Sequence, residues 1–468
     1  FLNLFLHPTA LHETLREIGR QGDAFGASEI GKGKRLQVEF VSSNPTGPLT
    51  VGHGRQAVLG DVLSTLYERI GYNVTREYYF NDAGRQIERL AESLWVRHRE
   101  LHGDSPAIPE DGYQGEYLVE IARRLDAEEP RAAATFPTFG TAARRFYARH
   151  AVERITSRIQ DDLSSLGVTF DEWFRETSLH ESGEVAAALA ALRDRGVVYE
   201  EGGAVWFRAQ EHGGVKDFVL IKSDGQPTYE LVDIAYHLHK HRRGFDAVID
   251  VQGADHHAQQ TCVLAAMRVL GLPEGWLTYA MHQFVSLKEG GHVLKMSTRA
   301  GRFVTLHDLL EELGKDVVRY FMISRKPEAH LDFDLDLART ASADNPATYM
   351  QYAYTRIRSV FRKAALPPAA PSPDTDLSLL VEQEELDLIK ELDRFPQTVA
   401  RAALEVAPHA VAEYGHTLAR AFHAYYDHHR VLSEDEALQS ARLALLCAIQ
   451  LVLGSCLRTL GMDTPETM

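Results

Sequence analysis

Residues 36–80 of this 468-residue chain constrain its fold more than any other stretch. Leu36, Val38 and Phe40 alternate with Gln37, Glu39 and Val41, the pattern of a strand. A turn rich in Pro and Gly follows. Residues 51–70 then read as a helix with Val58, Val62, Leu66 and Ile70 on one face. Gly71 stops that helix, and residues 74–80 read as a second strand. Strand, turn, helix, strand is the start of a parallel α/β sheet, whose ligand crevice lies beyond the carboxyl ends of its strands.

About three domains are expected at this length. Residues 1–36 read as the remnant of an N-terminal domain plus a linker, with residues 1–6 a strand cut from something longer. Residues 37–95 carry the first half of an α/β domain, and 96–215 a mainly helical, charged insertion. Sheet signals resume at 218–221 and 247–251, so 216–344 read as the second half. Residues 345–468 read as a separate all-α domain, broken by a Pro- and Ala-rich linker at 366–373 and a loop through 376.

Hydrophobic content of 44% and charged content of 25% are ordinary for a globular enzyme. No run of about 18 apolar residues is apparent, so no membrane span is expected. The N-terminus lacks the basic flank of a signal peptide. Cys262, Cys447 and Cys456 have no C-x-x-C spacing, which argues against a zinc ribbon or a disulfide framework and fits the cytoplasm. A net charge of −16 requires any RNA contact to use a local basic stripe.

Two separated segments carry the chemistry. The first is Gly47-Pro48-Leu49-Thr50-Val51-Gly52-His53, at a helix start where unpaired N–H groups favour phosphate. Gly52 allows close approach of a nucleotide, and His53 offers a hydrogen-bond donor to an α-phosphate gaining charge. Alone, the pattern is more often a tight turn with a surface histidine. The second is Lys295-Met296-Ser297-Thr298-Arg299, after a strand-like stretch at 281–286 and a glycine turn. Lys295 and Arg299 flank Ser297 and suit the transient charge of an in-line attack at phosphorus. Alone, this too is more often a solvated basic turn. The two in this order read as one triphosphate grip.

Gly253, Asp255 and His256 follow a strand, where a ribose or adenine lies in such a fold. The pairs His256-His257 and His237/His241 invite a metal, yet no H-E-x-x-H pattern accompanies them, and solvated or ribose-facing histidines are expected, with no zinc. His423, His428 and His429 read as helix surface or packing. Tyr349, Tyr352, Arg356 and Lys363, separated by 3, 4 and 7 residues, share one helix face. Rings that stack on bases and cations that hold phosphates suit a single-stranded RNA loop. A packing stripe with a basic cap is the bland alternative.

Together these segments, with Lys222-Ser-Asp-Gly225, Pro227-Thr-Tyr229, Gly253-Ala-Asp-His-His257, the block from Asn345 to Ala353 and the ending from Leu460 to Met468, resemble the arginyl-tRNA synthetase family over nearly the whole chain. The resemblance implies a Rossmann catalytic domain with a connective insertion and an α-helical anticodon-binding domain. It implies Mg2+-bound ATP, L-arginine and tRNA(Arg) as partners, with a monomer expected. By resemblance, Thr50, Gly52, His53 and Lys295 bind ATP together with Gly253, Asp255 and His256. Glu39 and Asn44 hold the head and tail of arginine, and Tyr229 and Asp233, four apart on one helical face, recognise its side chain. The tyrosine stripe faces the anticodon, with the terminal Met468 nearby. Family membership also implies attack by a terminal 2′-hydroxyl and a need for tRNA during adenylate formation.

Two positions depart from the family pattern. Thr50 replaces the signature's first histidine, and Thr298 replaces the second lysine of the mobile loop, leaving Arg299 or Lys288 as substitutes. These departures keep open a catalytically silent RNA-binding homologue. The turn at His53 also serves nucleotidylyltransferases, a reading that leaves the helical tail without a purpose.

Overall fold

A computed structural model describes residues 8–82, 84–294, 304–368, 371–372 and 374–468. Its first helix, α1 (Pro8–Gln21), buries Leu11, Leu15 and Ile18 at helical spacing. The expected linker therefore contains a packed helix, which lies against the C-terminal helices. Strand β1 (Arg35–Glu39), helix α2 (Val51–Arg69) and strand β2 (Asn73–Phe80) follow as the pattern predicts. β1 stops short of Val41 because Val41 and Ser42 have φ of +68° and +40°. A β-branched residue in that region cannot continue a strand.

Helices α3 (Arg85–Leu101), α4 (Glu116–Glu128), α5 (Ala132–Thr135) and α6 (Thr141–Ser165) form a helical layer in which α3 packs on both α4 and α6. Strand β3 (Glu172–Arg175) then pairs in parallel with β2. The expected insertion at 96–215 is thus not continuous. α3 crosses its first boundary, and β3 belongs to the main sheet. Helices α7 (Glu176–Glu181) and α8 (Glu184–Asp194) lead to an antiparallel meander of β4 (Val198–Glu201), β5 (Ala204–Phe207) and β6 (Phe218–Ile221).

Helix α9 (Tyr229–Arg242), β7 (Ala247–Gly253), α10 (His257–Val269) and β8 (Leu277–His282) complete the central sheet. Its order is β3-β2-β1-β7-β8, parallel throughout. The chain reverses its direction of winding between β1 and β7, the place where such sheets open a crevice. The segment expected as one strand at 281–286 is two: β8 ends at His282 and β9 (Val285–Glu289) starts a second sheet with β10 (His292–Val293) and, after α11 (Leu306–Leu313) and α12 (Lys315–Ile323), β11 (Leu331–Asp334).

After the short α13 (Leu335–Arg339), Asn345 caps α14 (Pro346–Lys363) by accepting from the Ala347 N–H, and Pro346 stands in its first turn. Helices α15 (Gln383–Asp393), α16 (Phe395–Leu404), α17 (His409–His428) and α18 (Glu436–Thr459) complete the all-α tail. α18 corrects the expectation that no stretch is apolar enough to span a membrane. Its mean hydropathy reaches 1.8, yet 89% of that window is buried inside the protein. α1, α14, α15 and α17 surround it. One apolar core runs from the central sheet through α12 into this bundle.

Candidate functional site

The site is built at the carboxyl end of β1. Ser42 and Ser43 hold the left-handed turn there: the Ser42 hydroxyl donates to Glu39 (2.8 Å) and accepts from the Tyr79 N–H (3.0 Å). The Tyr78 hydroxyl donates to the Ser43 carbonyl (2.9 Å) and accepts from the Ser43 N–H (3.1 Å). Strained backbone of this kind persists where surrounding bonds over-determine it, and it gathers at ligand sites.

The first motif then enters α2 with Thr50 as its extended N-cap. The Thr50 N–H donates to Nδ1 of His53 at 3.1 Å. Nδ1 is therefore an acceptor, and the proton of the neutral ring sits on Nε2. Burial and the nearby His282 push the His53 pKa down to about 4, so the ring stays neutral near pH 7. A Cβ placed on Gly52 would meet nothing nearer than the Thr50 hydroxyl, at 3.8 Å. Space for a ligand lies above it.

The second motif, with Lys295, Ser297, Thr298 and Arg299, lies outside the described residues, but both flanks are placed. The Leu294 N–H donates to the Leu287 carbonyl (2.9 Å), and the Leu306 N–H to the Leu49 carbonyl (2.8 Å). Thr305 forms a β-bridge with Thr50. The chain that follows the lysine segment is thus fastened to the first motif at Leu49 and Thr50. Lys288, one expected substitute cation, is already bound to Asp332 at 2.6 Å.

A row of charge lies beneath the crevice. Register sets Glu77, Glu39, Asp250 and Tyr279 side by side on four neighbouring strands. Parallel sheets covered on both faces are normally apolar, and three adjacent carboxylates must be compensated. α9 supplies the partners. Lys240 Nζ reaches Glu39 (2.6 Å) and Asp250 (2.7 Å), His237 reaches Asp250 (2.8 Å), and Tyr236 donates to Glu77. Arg243 pairs with the other oxygen of Glu77 at 2.6 Å. His237 is buried, contrary to the solvated role expected for it, because Asp250 holds it. His241 packs edge-on against Trp276.

One turn earlier on α9, Asp233 accepts from Gln259 of α10 through Oδ2, and its Oδ1 takes no hydrogen bond among the described residues. Burial, with the charge of Glu39 adding to it and His237 opposing, raises the Asp233 pKa to about 7. Tyr229 begins the same helix and is 63% exposed. Gln259 also lies 3.3 Å from His256, so one glutamine joins the segment after β7 to Asp233. Asp255 and His256 are exposed there. A Cβ on Gly253 would meet the exposed carboxylate of Asp255 at 2.5 Å, a contact that a turn of that side chain relieves.

A cavity of about 1090 Å³ runs from this turn to the helical layer. Asn44, Thr50 and His53 line one side, and Arg85, Arg89 and Tyr117 the other. Asn44 donates to Gln86 (2.7 Å) and Tyr117 to the Thr46 carbonyl (2.6 Å), which fasten the two walls. Glu39 is not on this lining, because both its oxygens are engaged by Ser42 and Lys240. Gln259, His282, Lys240 and Asp250 escaped the sequence reading. A charged residue inside the apolar 247–251 strand was the one available signal. His282 is buried at the end of β8 with Nε2 unpartnered among the described residues.

The stripe on α14 also assembles. The Tyr349 ring lies 4.7 Å from His423 of α17, and Tyr352 stacks on the same imidazole at 5.5 Å. The Arg356 guanidinium lies 5.6 Å over Tyr352 and 4.5 Å over Tyr426. Lys363 ends the helix, exposed. Met468, expected beside the stripe, is exposed. Glu466 is held by Arg358 and Arg362. Arg358 lies about 200° around the helix from Arg356, on a different face.

Residues 16–330 match the family described as tRNA synthetases class I (R), catalytic domain, and residues 350–468 the DALR anticodon binding domain. The arginine–tRNA ligase of Desulfosudis oleivorans is 45% identical over all of this chain and 84% of its own length. That of Thermotoga maritima is 42% identical over all of this chain and 86% of its own. A Campylobacter jejuni crystal structure assigned as an arginyl-tRNA synthetase superposes with a TM-score of 0.88 at 30% identity, covering 99% of this chain and 100% of that one. The Thermus thermophilus arginyl-tRNA synthetase shares the fold, with a TM-score of 0.77 at 24% identity over 98% of this chain and 86% of its own. With a class I catalytic domain, a helical anticodon-binding tail and relatives of this identity over its whole length, this chain belongs to the arginyl-tRNA synthetase family.

Proposed function

We propose that this arginine–tRNA ligase activates L-arginine in the crevice beside the first motif, at the carboxyl end of β1. The carboxylate of arginine attacks the α-phosphorus of Mg2+-bound ATP in line, and pyrophosphate leaves. A hydroxyl of the terminal adenosine of tRNA(Arg) then attacks the arginyl carbonyl, and AMP leaves. No side-chain nucleophile takes part; positioning and charge neutralisation carry both steps. Neutral His53 donates from Nε2 to an α-phosphate oxygen, and the backbone over Gly52 admits the nucleotide. Lys295 and Arg299 neutralise the charge that develops on the phosphates, and Ser297 and Thr50 hold the loops. Gly253, Asp255 and His256 receive the ribose and adenine.

Asp233 and Tyr229 are assigned the guanidinium, and Asn44 the amino-acid head. Glu39 acts through Lys240 and Ser42, fixing the floor of the pocket. Tyr349, Tyr352, Arg356 and Lys363 are assigned the anticodon loop, where unpaired bases stack on rings and phosphates meet cations. Cytoplasmic location and a monomer are the expectations carried from the sequence.

The observation that supports this reading is the Thr50–Thr305 bridge, which joins the chain after the lysine segment to the start of α2. Arginine-dependent ATP–pyrophosphate exchange, with and without tRNA(Arg), tests it. Exchange with arginine when tRNA is present is expected. No exchange under that condition rejects the catalytic reading in favour of a silent RNA-binding homologue, and preference for another amino acid rejects the assigned pocket.

A further inference from the structure

His98 and His102 stand one turn apart at the end of α3, and Asp126 faces them from α4. Nε2 of His98 lies 3.3 Å and Nε2 of His102 2.7 Å from the same carboxylate oxygen, Oδ1 of Asp126. All three candidate ligand atoms fall within 4.8 Å of one another. Tetrahedral zinc with bonds of about 2.0–2.1 Å places its ligand atoms roughly 3.3 Å apart, so small side-chain rotations suffice. The other nitrogen of His98 meets the buried hydroxyl of Tyr147 at 2.8 Å. A metal-bound histidine needs such an acceptor on its second nitrogen, which fixes the tautomer and ring plane. His98 is fully buried, while the side chains of His102 and Asp126 are each 37% exposed. The cluster therefore has a closed inner side and an open outer one.

We propose that His98, His102 and Asp126 bind one zinc ion, with water as the fourth ligand, clamping α3 to α4. Two imidazoles and one carboxylate favour zinc over the oxygen-seeking Mg2+. The site lies outside the reaction crevice, at the far ends of two helices whose opposite ends carry Arg85, Gln86 and Tyr117 on the cavity wall. Holding the helices together sets the spacing of that wall. The alternative occupant of the cluster is a proton network alone, with both Nε2–H groups donating to Asp126.

The test uses the untagged full chain, stripped with EDTA and titrated with Zn2+ alone by calorimetry, with thermal unfolding in parallel. Binding of about one ion per chain and a rise in Tm with zinc are expected, since a ligand that binds only the folded state stabilises it. His102→Ala and Asp126→Asn alter half-exposed positions, which keeps the fold testable, and each abolishes stoichiometric binding. Tyr147→Phe weakens zinc affinity roughly 10- to 100-fold by removing the acceptor. Absence of stoichiometric zinc in the wild-type chain overturns the proposal. Equal zinc binding by His102→Ala overturns it as well, because the ion then sits elsewhere.

Discussion

At the scale of single residues, the pocket works by setting buried charges against one another. Asp233 has a pKa raised to about 7, chiefly by burial, so the empty pocket holds a proton on it at pH 6. If Asp233 receives the guanidinium as proposed, it must do so ionised, and binding at lower pH must expel that proton. Arginine affinity is therefore expected to be roughly tenfold weaker at pH 6 than at pH 8. Calorimetry across that range checks it, and Asp233→Asn should bind weakly without the pH dependence. The same raised value makes folding stability of the empty protein fall as pH climbs from the ordinary carboxyl range through about 7, since the folded state there binds more protons than the unfolded one. Lys240 is the opposite case. Asp250 and Glu39 outweigh its burial and raise its pKa to about 12. Lys240→Met leaves both carboxylates buried without their cation and should cost about 3–5 kcal/mol, read by denaturant unfolding. A loss below about 1 kcal/mol would mean that Glu39 and Asp250 find other partners.

At the scale of elements, α2 and α14 each present a face whose purpose differs from its packing. α2 buries Val58, Val62 and Leu66 as the spacing predicts, while its first turn carries Gly52 and His53, to which the nucleotide phosphates are assigned in the proposed function. The identity of the turn and the helix was legible because periodicity and Gly/Pro punctuation are local. What periodicity could not supply was the partner at the other end of the segment, the Thr305–Thr50 bridge, since residues 255 positions apart meet only through the fold. On α14, the face carrying Tyr349, Tyr352 and Arg356 meets α17 at His423, which both rings contact, and at Tyr426, under the Arg356 guanidinium. Tyr352 is 43% exposed although its ring stacks on His423, so part of it remains open to solvent. Tyr352→Ala should weaken tRNA(Arg) affinity by about 1–3 kcal/mol, the value of one base–aromatic stack, and spare exchange at saturating tRNA. Filter binding measures it; unchanged affinity makes the stripe core alone.

At the scale of the whole molecule, one guanidinium ties catalytic half to tail. Arg319 on α12 is fully buried and donates to the carbonyls of Leu460 (2.6 Å) and Leu166 (3.0 Å) and to Asp61 of α2. Gly461 ends α18 with φ of +69°, and a Cβ there would fall 2.2 Å from the Arg319 guanidinium. Gly461→Ala thus meets both a left-handed backbone and a close approach, and should lower stability by more than about 1 kcal/mol. Thermal unfolding checks it, with one cooperative transition expected because the apolar core is shared. An unchanged Tm would show that Arg319 can yield without loss.

The family, the parallel sheet and the helical tail were determined by sequence alone, because each rests on local order: alternation, helical spacing, turn residues and short signatures. The tertiary structure decided the rest. It placed β3 back on the main sheet, buried α18 inside the bundle, tied Glu466 to Arg358 and Arg362 of α14, and put Lys240 between Glu39 and Asp250. Those outcomes depend on register and on contacts between segments far apart in the chain, and a residue's neighbours across a sheet are not written in its neighbours along it.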